Sequence, residues 1–117
     1  MKYLVVDDSK LARLSLVKSL KSIVGEAEIF QATNGLEAVN TMSQERADIV
    51  FLDLTMPEMD GYEALPKLLE INPTAKVVVV SADIQAKAKE RVIGLGAQIH
   101  MQKPINPQKM QEILDIL

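Results

Sequence analysis

Cysteine is absent from the 117-residue sequence, which excludes disulfides, thiolate nucleophiles and cysteine metal sites together and fits a reducing cytoplasm. Tryptophan is absent as well and aromatic residues make up only 3%, so the stacking platforms of single-stranded nucleic-acid binders are missing. Basic charge is in deficit. The 13 Lys and Arg against 16 Asp and Glu leave a net charge of −3 with no block of like charge, which argues against a direct nucleic-acid partner. No run approaches the roughly 18 apolar residues of a membrane span. The opening Met1-Lys2-Tyr3-Leu4-Val5-Val6 meets Asp7-Asp8 too soon to be the apolar region of a signal peptide. The sequence therefore reads as a soluble, cytoplasmic protein without membrane insertion.

A hydrophobic content of 48% is enough to fill the core of one domain. Three short apolar runs, Tyr3 to Val6, Ile49 to Leu52 and Val77 to Val80, are rich in β-branched residues and lack polar alternation. Such runs suit strands buried on both faces of a parallel sheet. Glu28-Ile29-Phe30-Gln31-Ala32 and Gln98 to Gln102 are more mixed and suit sheet edges. Helical patterns lie between the runs. Ala12, Leu16, Leu20 and Ile23 share a face ahead of Gly25, and Leu36 and Val39 follow Asn34-Gly35. Ala64, Leu65, Leu68 and Leu69 follow Asp60-Gly61, while Ile84, Ala88, Val92 and Leu95 precede Gly96. Met110, Ile113, Leu114 and Leu117 then recur at i, i+3, i+4 and i+7, with Pro107 near the first turn. Pro66 stands close enough to the start of its helical pattern to be accommodated in the first turn or so. Five βα units in strict alternation predict an α/β domain, an open, doubly wound parallel sheet with helices on both faces.

In such a sheet the ligand site lies beyond the carboxyl ends of the strands. Asp7 and Asp8 close the first predicted strand, Asp53 the third, Ser81 the fourth and Lys103 the fifth, so all of them can converge on one pocket. Several carboxylates at one edge repel and raise one another's pKa values unless a cation sits among them. Mg²⁺ suits the place, since it takes hard oxygen ligands and usually keeps water and phosphate oxygens in its shell. Helix capping is the plainer reading of Asp7-Asp8, but Ser9 alone would serve as the N-cap. Asp53 directly follows Ile49-Val50-Phe51-Leu52 and would project from a rigid strand end, as a nucleophile is usually held. A carboxylate can take a phosphoryl group as an acyl phosphate, a transfer that depends mostly on positioning and charge neutralisation. The Lys103 ammonium would neutralise the phosphoryl oxygens, and Lys103-Pro104 is a candidate cis bond; the bland alternative is a solvated loop lysine. Ser81 would donate its hydroxyl to the same oxygens or would simply be a turn residue.

Taken together, Val5-Val6-Asp7-Asp8-Ser9, the run from Leu52 to Gly61, Ser81-Ala82 and Lys103-Pro104 resemble the receiver domains of bacterial response regulators, above all single-domain regulators of the chemotaxis type. The resemblance covers the whole chain. It implies a flavodoxin-like strand order of 2-1-3-4-5, a receiver domain over residues 1–117 and no output domain. It implies that Asp53 takes a phosphoryl group from a histidine kinase or phosphotransfer protein. Asp8, Asp53 and the Thr55 carbonyl would bind Mg²⁺ with Asp7 nearby, and Ser81 and Lys103 would hold the phosphoryl oxygens. Phosphorylation would draw Ser81 inward and free a pocket for the residue three before Lys103. Most members have Tyr or Phe at that place, whereas this sequence has His100, a residue type that titrates near neutrality; either the switch would be pH-sensitive or His100 is simply a half-exposed histidine on an edge strand. Thr55 and Asp83 would border the path of the attacking water, and small Ala82 would leave the pocket open.

The resemblance further implies that the face from Ile84 to Leu117 changes on phosphorylation and binds a downstream effector protein, the receiver being a monomer or weak dimer. It would not be a turnover enzyme, catalysing at most its own phosphorylation and dephosphorylation. A phosphatase of the haloacid-dehalogenase type also uses an aspartyl nucleophile, but it wants a second Asp two places later, where Thr55 stands. A pseudo-receiver that only binds a protein would have no need of the complete acidic set with Lys103. Met56, Met59 and Met101 read as packing residues.

Overall fold

β-Branched runs that are apolar on both faces can be satisfied only between two layers of helix, and the chain builds that arrangement. In the computed structural model, which describes residues 1–82 and 85–117, the elements alternate strictly. They are β1 (Lys2–Val6), α1 (Lys10–Val24), β2 (Glu28–Ala32), α2 (Gly35–Glu45), β3 (Ile49–Leu52), α3 (Gly61–Ile71), β4 (Lys76–Ser81), α4 (Ala86–Gly94), β5 (Ile99–Gln102) and α5 (Pro107–Ile116). The strands form one parallel sheet in the order β2-β1-β3-β4-β5, which places the two mixed runs at the edges.

Alternate side chains of each central strand enter different cores. Leu4, Val6, Val50, Leu52, Val77 and Val79 pack with Ala38, Met42, Leu65, Leu68 and Val92 of α2, α3 and α4. Tyr3, Val5, Ile49, Phe51, Val78 and Val80 pack with Leu16, Val17, Leu20, Met110 and Ile113 of α1 and α5. A fully buried Leu or Phe contributes roughly 1.5–3 kcal/mol relative to exposure, so removing either helix layer would strip the sheet of its main support. The methionines behave as packing residues: Met56 is buried, and Met59 and Met101 lie against the cores.

Two expectations are corrected. Leu36 does not face the sheet; it is 46% exposed, because α2 buries Ala38 and Met42, and two helical residues are about 200° apart around the axis. Pro66 lies in the second turn of α3 rather than the first, since the helix starts at Gly61 after the Asp60 cap. It has no N–H to give to the Tyr62 carbonyl, a cost that the buried Ala64, Leu65 and Leu68 offset. Ile84, expected on the inner face of the fourth helix, lies outside the described residues.

Candidate phosphoryl-accepting site

Each strand end is held in place by its neighbour. The Asp7 N–H donates to the Ala32 carbonyl, the Asp53 N–H to Val6 and the Lys103 N–H to Ser81, so the ladder runs one residue past the strands. Side chains that leave these positions start from fixed backbone, and they leave at one edge of the sheet. Ser9 caps α1 by accepting from the Ala12 N–H, which frees Asp7 for other work.

Asp7 and Asp53 are buried, Asp8 is exposed, and one carboxylate oxygen from each lies within 4.8 Å of the others. Lys103 reaches into this group. Its Nζ is 2.6 Å from Asp7 Oδ2 and 3.1 Å from Asp53 Oδ2. The remaining oxygens have backbone donors: Ser9 N–H to Asp7 Oδ1 at 2.9 Å and Leu54 N–H to Asp53 Oδ1 at 2.8 Å. Burial pushes the Asp53 carboxyl above the ordinary carboxylate range; the Lys103 charge opposes that shift and the Asp7 charge adds to it. Burial alone would lower Lys103, but the hydrogen bond to Asp7 and the charges of Asp53 and Asp7 outweigh it and raise its pKa. Three carboxylates against one ammonium leave the cluster acidic, and its hard oxygen donors fit a divalent cation of the Mg²⁺ kind.

Beside the carboxylates lies a pocket lined by Asp53, Leu54, Thr55, Tyr62, Ser81, Ala82 and Lys103. Ser81 is buried at the end of β4, and its Oγ lies 3.0 Å from Nε2 of His100 in β5. Thr55 and Ala82 are exposed at the mouth. The Lys103-Pro104 bond is cis. Asp83, expected beside the water path, lies outside the described residues.

Sequence reasoning missed Tyr62. It follows Gly61 at the start of α3, lines the pocket, and carries the Arg91 guanidinium of α4 at 3.9 Å from its ring centroid. Its signal was slight, an aromatic residue in a chain that has only two Tyr and two Phe. Gly61 itself is held by sterics: a Cβ there would lie 2.2 Å from the Asp53 carbonyl oxygen.

A sequence model of the response regulator receiver domain matches residues 3–115. The chain belongs to the response regulator receiver domain family. It is a receiver of the chemotaxis-protein type, a phosphoacceptor switch of two-component systems. The receiver is 38% identical over 112 residues to the chemotaxis protein CheY of Thermotoga maritima, covering 96% of this chain and 92% of that one. It is also 38% identical over 118 residues to CheY of Listeria monocytogenes, covering 98% and 96%. A crystal structure of the CheX-CheY-BeF3-Mg²⁺ complex from Borrelia burgdorferi contains a chain of the same fold. The TM-score is 0.91 with 31% identity over 99% of this receiver and 88% of that chain. Receivers bind Mg²⁺ at an acidic pocket, and Asp7, Asp8 and Asp53 form such a cluster here. Among the described residues no helix is long and apolar enough to cross a membrane.

Proposed function

We propose that Asp53 is the phosphoryl acceptor of this receiver, taking the group from a phosphohistidine on a kinase or phosphotransfer protein. The observation that carries this is the Asp53 carboxylate, held at a buried strand end 3.1 Å from the Lys103 ammonium and opening on the pocket that Ser81 lines. An Asp53 oxygen forms a bond to phosphorus as the phosphorus–nitrogen bond of the donor breaks, and the imidazole leaves with that electron pair. Lys103 keeps Asp53 ionised for attack and balances the negative charge that arrives, while Ser81 is placed to donate a hydrogen bond to a phosphoryl oxygen. Asp8, Asp53 and the Thr55 carbonyl, with Asp7 adjacent, would hold Mg²⁺. When bound, the ion supplies positive charge to the phosphoryl oxygens.

The partner face would be α4, β5 and α5, where Ile93 and Ile116 are 42% and 70% exposed. A downstream cytoplasmic protein of a chemotaxis-type pathway would dock there, with the receiver acting as a monomer or weak dimer. The receiver would catalyse no turnover beyond its own phosphorylation and dephosphorylation. Intact-mass spectrometry after incubation with acetyl phosphate tests the reading. A Mg²⁺-dependent, labile phosphoryl adduct on wild type and none on Asp53→Asn is the expected result. An adduct that survives Asp53→Asn would place the acceptor elsewhere.

A further inference from the structure

The walls of the pocket at Asp53 divide by chemistry. Asp53, Ser81 and Lys103 are the groups that meet a phosphoryl group, and Leu54 is buried among them. Thr55 and Ala82 are small and exposed. Among the described lining residues that leaves half-buried Tyr62 as the one large flat surface against which the departing half of a phosphodonor can rest.

Tyr62 is held in register with the acceptor. The Gly61 N–H donates to the Leu54 carbonyl at 2.9 Å, and Gly61 lies so close to the end of β3 that a Cβ there would be 2.2 Å from the Asp53 carbonyl oxygen. Asp60 fixes the first turn of α3 by accepting from the Glu63 N–H. The ring therefore starts from backbone tied to Asp53 itself. It is braced from the other end by Arg91, whose guanidinium carbon lies 3.9 Å from the ring centroid. Among the described residues no carboxylate pairs with Arg91 and draws it elsewhere. One ring face is thus taken, and the opposite face and the hydroxyl edge remain for a ligand. A cation over one face pulls π density toward itself, which makes the opposite face a better partner for a neutral, electron-rich ring and a poorer one for a cation.

We propose that Tyr62 is a specificity-determining residue for phosphoryl acceptance, stacking on the leaving group and favouring donors whose phosphorus is bonded to an aromatic nitrogen. The inference rests on Asp53 as the acceptor. As the bond from the Asp53 oxygen to phosphorus forms and the phosphorus–nitrogen bond breaks, a donor ring that carries a hydrogen on its other nitrogen leaves as neutral imidazole with the bonding pair. The ring loses its positive charge on the way. A Tyr62 face drained by Arg91 therefore holds the departing ring more tightly than the intact donor, which is the condition for raising the rate rather than the affinity alone. A donor whose phosphorus–nitrogen bond ends in ammonia has no ring to stack and gains nothing from this wall.

The test incubates the 117-residue chain with Mg²⁺ and either N-phosphoimidazole or phosphoramidate, two phosphorus–nitrogen donors of which only the first has the ring. Initial rates of adduct formation are followed by intact-mass spectrometry. The quantity read is the ratio of the two rates, because the intrinsic reactivities of the donors cancel when that ratio is compared between variants. Tyr62→Leu should lower the phosphoimidazole-to-phosphoramidate ratio about fivefold, the weight of one aromatic pair, while Tyr62→Phe keeps the wild-type ratio. Should Tyr62→Leu not fold, Tyr62→Met, flexible enough to fill the same space, takes its place. Equal slowing with both donors, or rates unchanged by loss of the ring, would make Tyr62 a packing residue and overturn the inference while leaving Asp53 as the acceptor. A ratio that falls as far in Tyr62→Phe as in Tyr62→Leu would assign the selection to the hydroxyl and overturn the stacking. An adduct from neither donor on wild type, or one that persists in Asp53→Asn, would overturn both.

Discussion

The Lys103 ammonium lies 2.6 Å from an Asp7 carboxylate oxygen, closer than to the Asp53 oxygen at 3.1 Å. In this structure the lysine therefore neutralises the supporting aspartate as well as the acceptor. Lys103→Met should leave two buried carboxylates facing each other without it and destabilise the fold by about 2 kcal/mol, below the loss for fully buried pairs because the lysine side chain is 23% exposed. Its folded pKa is raised, so its stabilisation is present below the unfolded value near 10.4 and is lost as pH rises through the folded value. Urea melts at neutral and at strongly alkaline pH should show the gap between wild type and variant closing only in the alkaline range.

Asp53→Asn should stabilise the Mg²⁺-free protein. The folded pKa of Asp53 lies above its unfolded value of about 3.9, so its charge costs folding free energy at neutral pH, and that cost disappears as pH falls through the raised pKa toward the ordinary value. Calorimetry should show the variant melting higher at pH 7 and converging with wild type in acid. A lower melting temperature at pH 7 would mean that the lost pairing with Lys103 outweighs burial.

Two glycine substitutions should part in sign. Gly61→Ala would set a Cβ 2.2 Å from the Asp53 carbonyl oxygen and 2.9 Å from Leu54 Cα, both backbone, and should cost more than about 2 kcal/mol and slow phosphoryl acceptance. Gly94→Ala, in α4 with nothing within 4 Å of the new methyl group, should gain about 0.5–1 kcal/mol. Chemical denaturation of both variants measures the contrast directly.

Arg91 and Tyr62 tie α4 to the wall of the pocket. A double-mutant cycle with Arg91→Ala and Tyr62→Leu should return a coupling of about 0.5–1 kcal/mol, the range of an exposed cation–π contact. Strict additivity would mean that the stacking contributes nothing in solution.

Most of the sheet was legible in the chain. Ile49 to Leu52 and Val77 to Val80 are apolar at every position, which only a doubly covered strand satisfies, and the mixed composition of Glu28 to Ala32 and Gln98 to Gln102 marked the edges. The inward face of α2 was not legible, because Leu36 is more hydrophobic than Ala38 yet points away. Close packing against the sheet selected the small residue, together with Met42. Pro66 was placed one turn too early, since Asp60 sets the start of α3 and the buried face then carries the helix past the ring.

The sequence by itself determined the alternation of strand and helix and put Asp7, Asp53, Ser81 and Lys103 at strand ends, because burial periodicity and polar termination are local properties of the chain. Tertiary structure alone decided which of those groups touch. Lys103 meets Asp53 across 50 positions of sequence, and Ser81 meets His100 across 19. Strand order and the reach of a side chain depend on distances in space, which no local pattern of residues encodes.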